Sequence, residues 1–241
     1  MARIFLAGAS GAIGHPLASM LVRAGHQVTG STRSPEKAEL LARLGASPVV
    51  VDVFDAAALM RAVVAAAPEV VMQQLTDLPD GLFSLDKAAQ ERALRANARM
   101  RSEGTPNLVA SAKECGARRL IAQSIVWVYA PGREPHVESD PINAAATGLA
   151  AVSLQGAMAL ERAVLDSALE SVVLRYGRLY GPGTGHDAPP GDPAVHTDAA
   201  AHAAHLAVDR GQGVYNVAEP SPYVSSEKVT RELGWDATFR V

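Results

Sequence analysis

The sequence predicts an α/β chain organised on a doubly wound parallel sheet, and three observations carry that prediction. The chain opens with a short apolar run, Ile4 to Ala7, with the length and character of a strand buried on both faces. Gly8, Gly11 and Gly14 follow at three-residue spacing, and a helical stripe of Leu17, Met20, Leu21 and Ala24 begins at once. Beyond it, strand-length apolar runs alternate with helical patterns, the order that a parallel sheet with crossover helices requires.

A strand, a glycine turn and a helix make the first half of a βαβ unit. One glycine permits the tight turn, one lets a pyrophosphate approach the backbone, and one lets helix and strand pack closely. The helix N-terminus adds free N–H groups and a partial positive charge. In this context Gly8, Ser10, Gly11, Ala12, Ile13 and Gly14 read as a phosphate cradle, and the sheet as a Rossmann sheet that binds a dinucleotide.

At 241 residues the chain suffices for one well-buried domain with a small appendage. The expected division is a dinucleotide-binding core over 1–182 and a short substrate-side subdomain over 183–241, packed on the core. Hydrophobic content of 48% and charged content of 20% are ordinary for a globular protein. A net charge of −3 supplies no basic field for nucleic acid or an anionic membrane. The single cysteine, Cys115, excludes an internal disulfide and reads as a buried structural thiol. The first strand begins at residue 3 or 4, which leaves no room for a signal or transit peptide, and no apolar run approaches the roughly 20 residues of a membrane span. A cytoplasmic protein is expected.

Gln27 to Gly30 reads as the second strand, and the residues just beyond it choose between the two nicotinamide dinucleotides. An acid there favours NAD; an arginine favours the 2′-phosphate of NADP. The segment is Ser31-Thr32-Arg33-Ser34, with no acid, so NADP(H) is the expected cofactor, with Arg33 on the phosphate, Ser31 and Thr32 adding hydrogen bonds, and NAD(H) as the alternative. Ser34-Pro35 starts a helix over 35–44 that is expected to bury Leu40, Leu41 and Leu44. Residues 48–55 form the third strand and its exit. Asp52, beside Val53, stands where a carboxylate accepts from the adenine amino group, and Asp55 caps a helix over 56–66. Glu69 to Leu75 is the fourth strand, and Gln74, Leu75 and Thr76 lie at its ligand-facing end. A long helical region over 86–114 is interrupted at Gly104-Thr105-Pro106, where a kink or break is expected.

Arg119 to Ser124 is the fifth strand, and a serine at its carboxyl end faces the crevice. Residues 133–148 read as a surface loop, 150–168 as a helix, and 171–175 as the sixth strand, which ends in a turn carrying Arg175, Tyr176 and Gly177. Residues 183–193 form a loop holding His186; Thr197 or Asp198 caps an alanine-rich helix; 213–217 is a short strand; and Ser225 or Ser226 caps a last helix. His196 and His202 have no second ligand at metal spacing, so no metal site is assigned.

With these residues in place, the chain resembles the extended short-chain dehydrogenase/reductase superfamily, the NAD(P)-dependent epimerases and dehydratases. The resemblance rests on Gly8-x-x-Gly11-x-x-Gly14, Asp52, Ser124 and the segment Arg175 to Gly183, with weaker echoes at 195–200, 214–218 and 224–235. It implies a homodimer formed through the helices near 86–114 and 150–168. It also implies a Tyr-x-x-x-Lys pair on the helix before the sixth strand, where the tyrosine exchanges a proton with substrate oxygen and the lysine lowers its pKa. That pair is missing. With Glu161 marking the register, the two positions fall on Ser153 and Ala157, and the stretch 150–168 holds neither tyrosine nor lysine. The segment between Gly183 and His196 is also too short to close over a nucleotide-sugar.

Ser124, Tyr129 and Ser153 are therefore the candidate catalytic residues, with Tyr176, Tyr180, His186, Arg178 and Gln155 as further groups within plausible reach. The leading expectation is an atypical NADPH-dependent reductase or dehydrogenase acting on a small carbonyl or hydroxyl compound. A non-catalytic NAD(P)-binding sensor or scaffold, and an isomerase or cyclase without net hydride transfer, are the alternatives.

Overall fold

The structure is a computed structural model that describes residues 1–82 and 85–241. Nine strands and eight α-helices are found among them. In chain order they are β1 (Arg3–Ala7), α1 (Gly14–Arg23), β2 (Gln27–Thr32), α2 (Pro35–Arg43), β3 (Ser47–Val50), α3 (Ala56–Ala66), β4 (Val70–Gln73), α4 (Lys87–Arg99), α5 (Thr105–Glu114), β5 (Arg119–Ile125), α6 (Gly148–Leu165), β6 (Glu170–Tyr176), β7 (Arg178–Tyr180), β8 (Ala194–His196), α7 (Thr197–Leu206), β9 (Gly213–Val217) and α8 (Glu227–Leu233). Seven strands form one parallel sheet in the order β3-β2-β1-β4-β5-β6-β9. β7 and β8 form a small parallel sheet of their own. No helix among the described residues is long and apolar enough to cross a membrane.

Strand alternation sorts the core into two layers. Ile4 and Leu6 of β1 face one layer with Leu17 and Leu21 of α1, the alanines of α7 and Leu233 of α8. Phe5 and Ala7 face the other, with Leu59 and Val63 of α3, Leu108 of α5, and Leu160 and Val164 of α6. The doubly wound sheet is thus covered on both faces, which parallel strands require. The chain beyond residue 182 completes this arrangement: β9 pairs with β6, and α7 packs on α1.

Several local details depart from the sequence reading. Leu41 is buried, but Leu40 is 41% exposed, because α2 lies at the sheet edge and turns a narrow face inward. His196 caps α7, accepting the Asp198 N–H at 3.1 Å on its ring nitrogen, where Thr197 or Asp198 was expected. Cys115 is half-buried, its thiol pushed up by burial and donating to the Ala112 carbonyl.

The interruption between α4 and α5 is a π-helical turn, Met100–Gly104, that precedes Pro106 and does not fall on it. Proline has no N–H to donate and its ring crowds the carbonyl four residues back, here that of Ser102. One widened turn relieves both conflicts without breaking the helix. It also buries Met100, Arg101 and Gly104.

α4 and α6 cross in close contact at Gly156. A Cβ there would lie 2.8 Å from the Ala98 Cα, so only glycine allows the approach. Gly156→Val is expected to cost about 1–3 kcal/mol through overpacking, read as a lower urea midpoint with an unchanged slope.

Candidate functional site

A crevice of about 870 Å³ opens at the carboxyl ends of the strands. It sits where β2 and β4 leave β1 on opposite sides, the switch point at which doubly wound sheets bind ligands. The glycine turn forms its floor, lined by Gly8, Ser10, Gly11 and Ala12. Gly8 adopts φ +82°, and a Cβ on it would stand 2.5 Å from the Gln74 carbonyl oxygen. A Cβ on Gly14 would stand 2.0 Å from the Gly8 carbonyl oxygen. Those two contacts press the turn against β4 and α1 together. Among the described residues the only atom near a Cβ added at Gly11 is the Gly8 oxygen at 3.4 Å, so this glycine faces the crevice with its backbone bare. Ile13 and Gly14 are buried behind the floor.

Ser31, Thr32, Arg33 and Ser34 line one end. Thr32 Oγ1 accepts from Ser10 Oγ at 3.0 Å and from the Ser34 N–H at 3.2 Å, which ties β2 to the glycine turn. Ser34 caps α2 by accepting the Lys37 N–H. Lys37 also lines this end and was missed by the sequence reading; its place one turn into α2 is its signal. Arg33 crosses the mouth to Asp77 at 2.6 Å, and the arginine side chain is 50% exposed. An exposed pair of this kind contributes up to about 1 kcal/mol, so the guanidinium is readily given up to a phosphate.

Gln74, Leu75 and Thr76 line the crevice at the end of β4, whose course is pinned by Gln123 Nε2 donating to the Leu75 carbonyl and by the Asp77 N–H donating to Asn97 Oδ1. Both amide atoms of Gln74 are buried, and among the described residues no hydrogen bond of normal geometry reaches them, a weak interaction with the Tyr176 hydroxyl aside. A bare glycine backbone and an orphaned amide in one crevice fit a bound dinucleotide. Val53 and Gly177 also line the crevice.

Besides Ile13 and Gly14, three expected site residues fall outside the lining. Asp52 is exposed and accepts the Phe54 N–H at 3.0 Å, forming a local turn at the exit of β3. Arg175 is buried behind the crevice, with Nε and Nη2 donating to the two oxygens of Glu161 at 2.9 and 2.7 Å. Tyr129 is buried there too: its hydroxyl donates to Asn216 Oδ1 at 2.6 Å and accepts from Arg175 Nη1 at 2.9 Å. Burial raises the Tyr129 pKa against the opposing pull of Arg175. Its phenol is an internal strut because the strand end turns inward to pack on His136 and Leu154.

Ser124 lines the crevice, and its hydroxyl donates to Glu161 Oε1 at 2.6 Å. The proton is thereby committed to a carboxylate, so Ser124 turns only lone pairs to a ligand. Burial would lower the Arg175 pKa, but hydrogen bonds and charge from Glu161 raise it, and the guanidinium stays charged. Ser153 lines the crevice mouth, and Ala157 is fully buried. Tyr176 is the one tyrosine on the lining; its hydroxyl donates to the Ala200 carbonyl, and burial holds it protonated. Tyr180 donates to Glu219 Oε1 at 2.6 Å, and Gln155 is exposed on α6. Arg178 and His186 do line the crevice, and Arg178 stands over the Trp127 ring.

Fold and glycine turn together define a dinucleotide-binding protein of the Rossmann type. The NAD(P)H-binding family matches residues 8–209, and the chain belongs to that family. Among solved structures it is similar to UDP-glucose 4-epimerase from Thermotoga maritima, with TM-score 0.77 and 17% identity over 98% of this chain and 94% of that one. It is likewise similar to the Bordetella bronchiseptica enzyme WbmH, with TM-score 0.76 and 18% identity over 98% and 93%. At these identities the likeness is one of fold, that of the extended epimerases. A curated relative, the 3-diazoavenalumate denitrifying reductase of a Streptomyces species, is 43% identical over 187 residues, 76% of this chain. The chain spans 58% of that relative's length.

The Glu161–Arg175 pair yields a direct test. Arg175→Met leaves a buried carboxylate without its charge partner and is expected to cost about 3–5 kcal/mol. Glu161→Leu in the same chain should recover part of that loss, measured by denaturant titration of the single and double variants.

Proposed function

We propose that this chain is an NADPH-preferring reductase whose hydride acceptor requires no proton from the protein, such as a carbon that carries a diazonium group. The observation that carries this reading is the chemistry at the Ser124 end of the crevice. Serine and alanine occupy the positions of the usual tyrosine and lysine, and the Ser124 proton is held by Glu161. A carbonyl that accepts hydride becomes an alkoxide and needs an acid beside it. A carbon bearing a diazonium group does not. A C–H bond forms, the C–N bond breaks, and dinitrogen leaves with that bond's electron pair, so the balance closes without a proton. The likeness to a reductase named as denitrifying a diazo compound supports this acceptor class.

A reduced nicotinamide bound in the crevice would supply the hydride. The chain's own residues bind and orient. The glycine turn and the α1 N-terminus would hold the pyrophosphate, and Gln74 would gain partners for its amide. Arg33, Lys37 and the α2 N-terminus gather positive charge at one end, which favours a 2′-phosphate over a bare hydroxyl. Leu94, with the half-exposed ring of Trp127, keeps the acceptor end apolar and limits water there.

The test is steady-state oxidation of NADPH and of NADH with benzenediazonium and with benzaldehyde, each corrected for the reaction without protein. Diazonium-dependent oxidation with matched dinitrogen release, no turnover of the aldehyde, and a preference for NADPH of at least tenfold that Arg33→Ala abolishes are expected. Turnover of the aldehyde at comparable kcat/KM would contradict the acid-free reading, and equal use of the two cofactors would contradict the role of Arg33.

A further inference from the structure

Three arginines are buried in this chain, and two of them are saturated. Arg119 donates to the carbonyls of Ala207, Arg210 and Gly211 and pairs with Glu170. Arg175 is spent on Glu161 and Tyr129. Arg101, 5% exposed on the π-helical turn, has no hydrogen bond or ion pair among the described residues, and it lines the crevice. The attraction of Glu161 supports its charge, although both Glu161 oxygens are already taken by Arg175 and Ser124. Burial draws the guanidinium down to about 10, so at neutral pH it remains a cation. A buried cation with idle donors is costly unless an anion completes it.

The surroundings narrow the kind of anion. The carboxylates on the lining are Asp77, held by Arg33, and Asp80. Leu94, Met100 and Trp127 make apolar walls, and a side cavity of about 230 Å³ continues from Leu94, Trp127 and Ser153. Ribose hydroxyls would supply hydrogen bonds but no countercharge, so they would complete Arg101 only in part.

We propose that Arg101 is a specificity-determining anchor for a carboxylate on the substrate, so that the acceptor is an apolar organic carboxylate. This rests on the reductase reading for its setting, since the anchored molecule is the hydride acceptor. The planar fork takes two carboxylate oxygens at once, and the apolar walls take the body. A carboxylate also discriminates strongly against its own amide, which would leave the buried cation without a countercharge.

The experiment uses the full chain saturated with NADPH and the probe pair 2-naphthoate and 2-naphthamide, with affinities read by calorimetry. Wild type is expected to bind naphthoate at least tenfold more tightly than naphthamide. Arg101→Gln should bring the two within about twofold while leaving NADPH affinity within twofold of wild type. Arg101→Lys, which keeps the charge and loses the fork, should retain an intermediate preference, and it carries the test should Arg101→Gln fail to fold. The proposal is overturned if wild type shows no preference for the carboxylate, or if the preference survives Arg101→Gln. It is likewise overturned if Arg101→Gln weakens NADPH tenfold, which would place the guanidinium on the cofactor. An Arg101-dependent preference in a protein that turns over no diazonium compound would uphold the anchor and refute the reductase reading, so the two fail separately.

Discussion

The buried carboxylate of Glu161 is the constraint on which the acceptor end depends. An ionised side chain taken out of water must be met by charge and hydrogen bonds, or its desolvation goes unrepaid. Glu161 meets Arg175 through both oxygens and takes a third bond from Ser124. Arg175 in turn reaches Tyr129, and Tyr129 reaches Asn216. One carboxylate on α6 therefore ties together β5, β6 and β9, along with the segment that follows β5. The sheet edge that frames the crevice owes its shape to this chain of contacts, and so does the direction of the Ser124 proton.

The same network gives the site its chemical character. In the family that the fold resembles, α6 delivers a phenol and an ammonium to the reacting oxygen. Here it delivers Ser153 to the crevice mouth and buries Ala157, and its charged residue points inward to arginine. In this structure α6 braces the sheet edge through Glu161. On the proposed reading, the acceptor end offers a serine that accepts and apolar walls, a set that supplies no acid to a developing anion.

Much of the frame could be read from the sequence because its determinants are local. Glycine spacing between a strand and a helix, period-two and helical apolar patterns, and Ser34 and Asp55 as caps each act within a few residues. Most of the crevice lining lies at the strand ends that the sequence marks. The acceptor end was less legible because its pairings join distant residues. Glu161 served only to mark helix register, although it lies 14 residues from Arg175 and 37 from Ser124 in the chain. Tyr129 looked available because nothing nearby in sequence reveals Asn216, 87 residues on. Arg101 was overlooked because it resembles any charge on a helix; only the π-helical turn ahead of Pro106 carries it inward. Pro106 was the available signal, and it was read as a kink where the chain makes a widened turn.

Isotopic tracing tests the central claim, an acceptor reduced by hydride without a proton from the protein. The protein would be given benzenediazonium with NADPH deuterated at the transferring C4 position in ordinary water, and then unlabelled NADPH in heavy water. The account predicts one deuterium in the benzene formed in the first experiment and none in the second, with no solvent isotope effect on kcat. Deuterium entering the product from heavy water would contradict it.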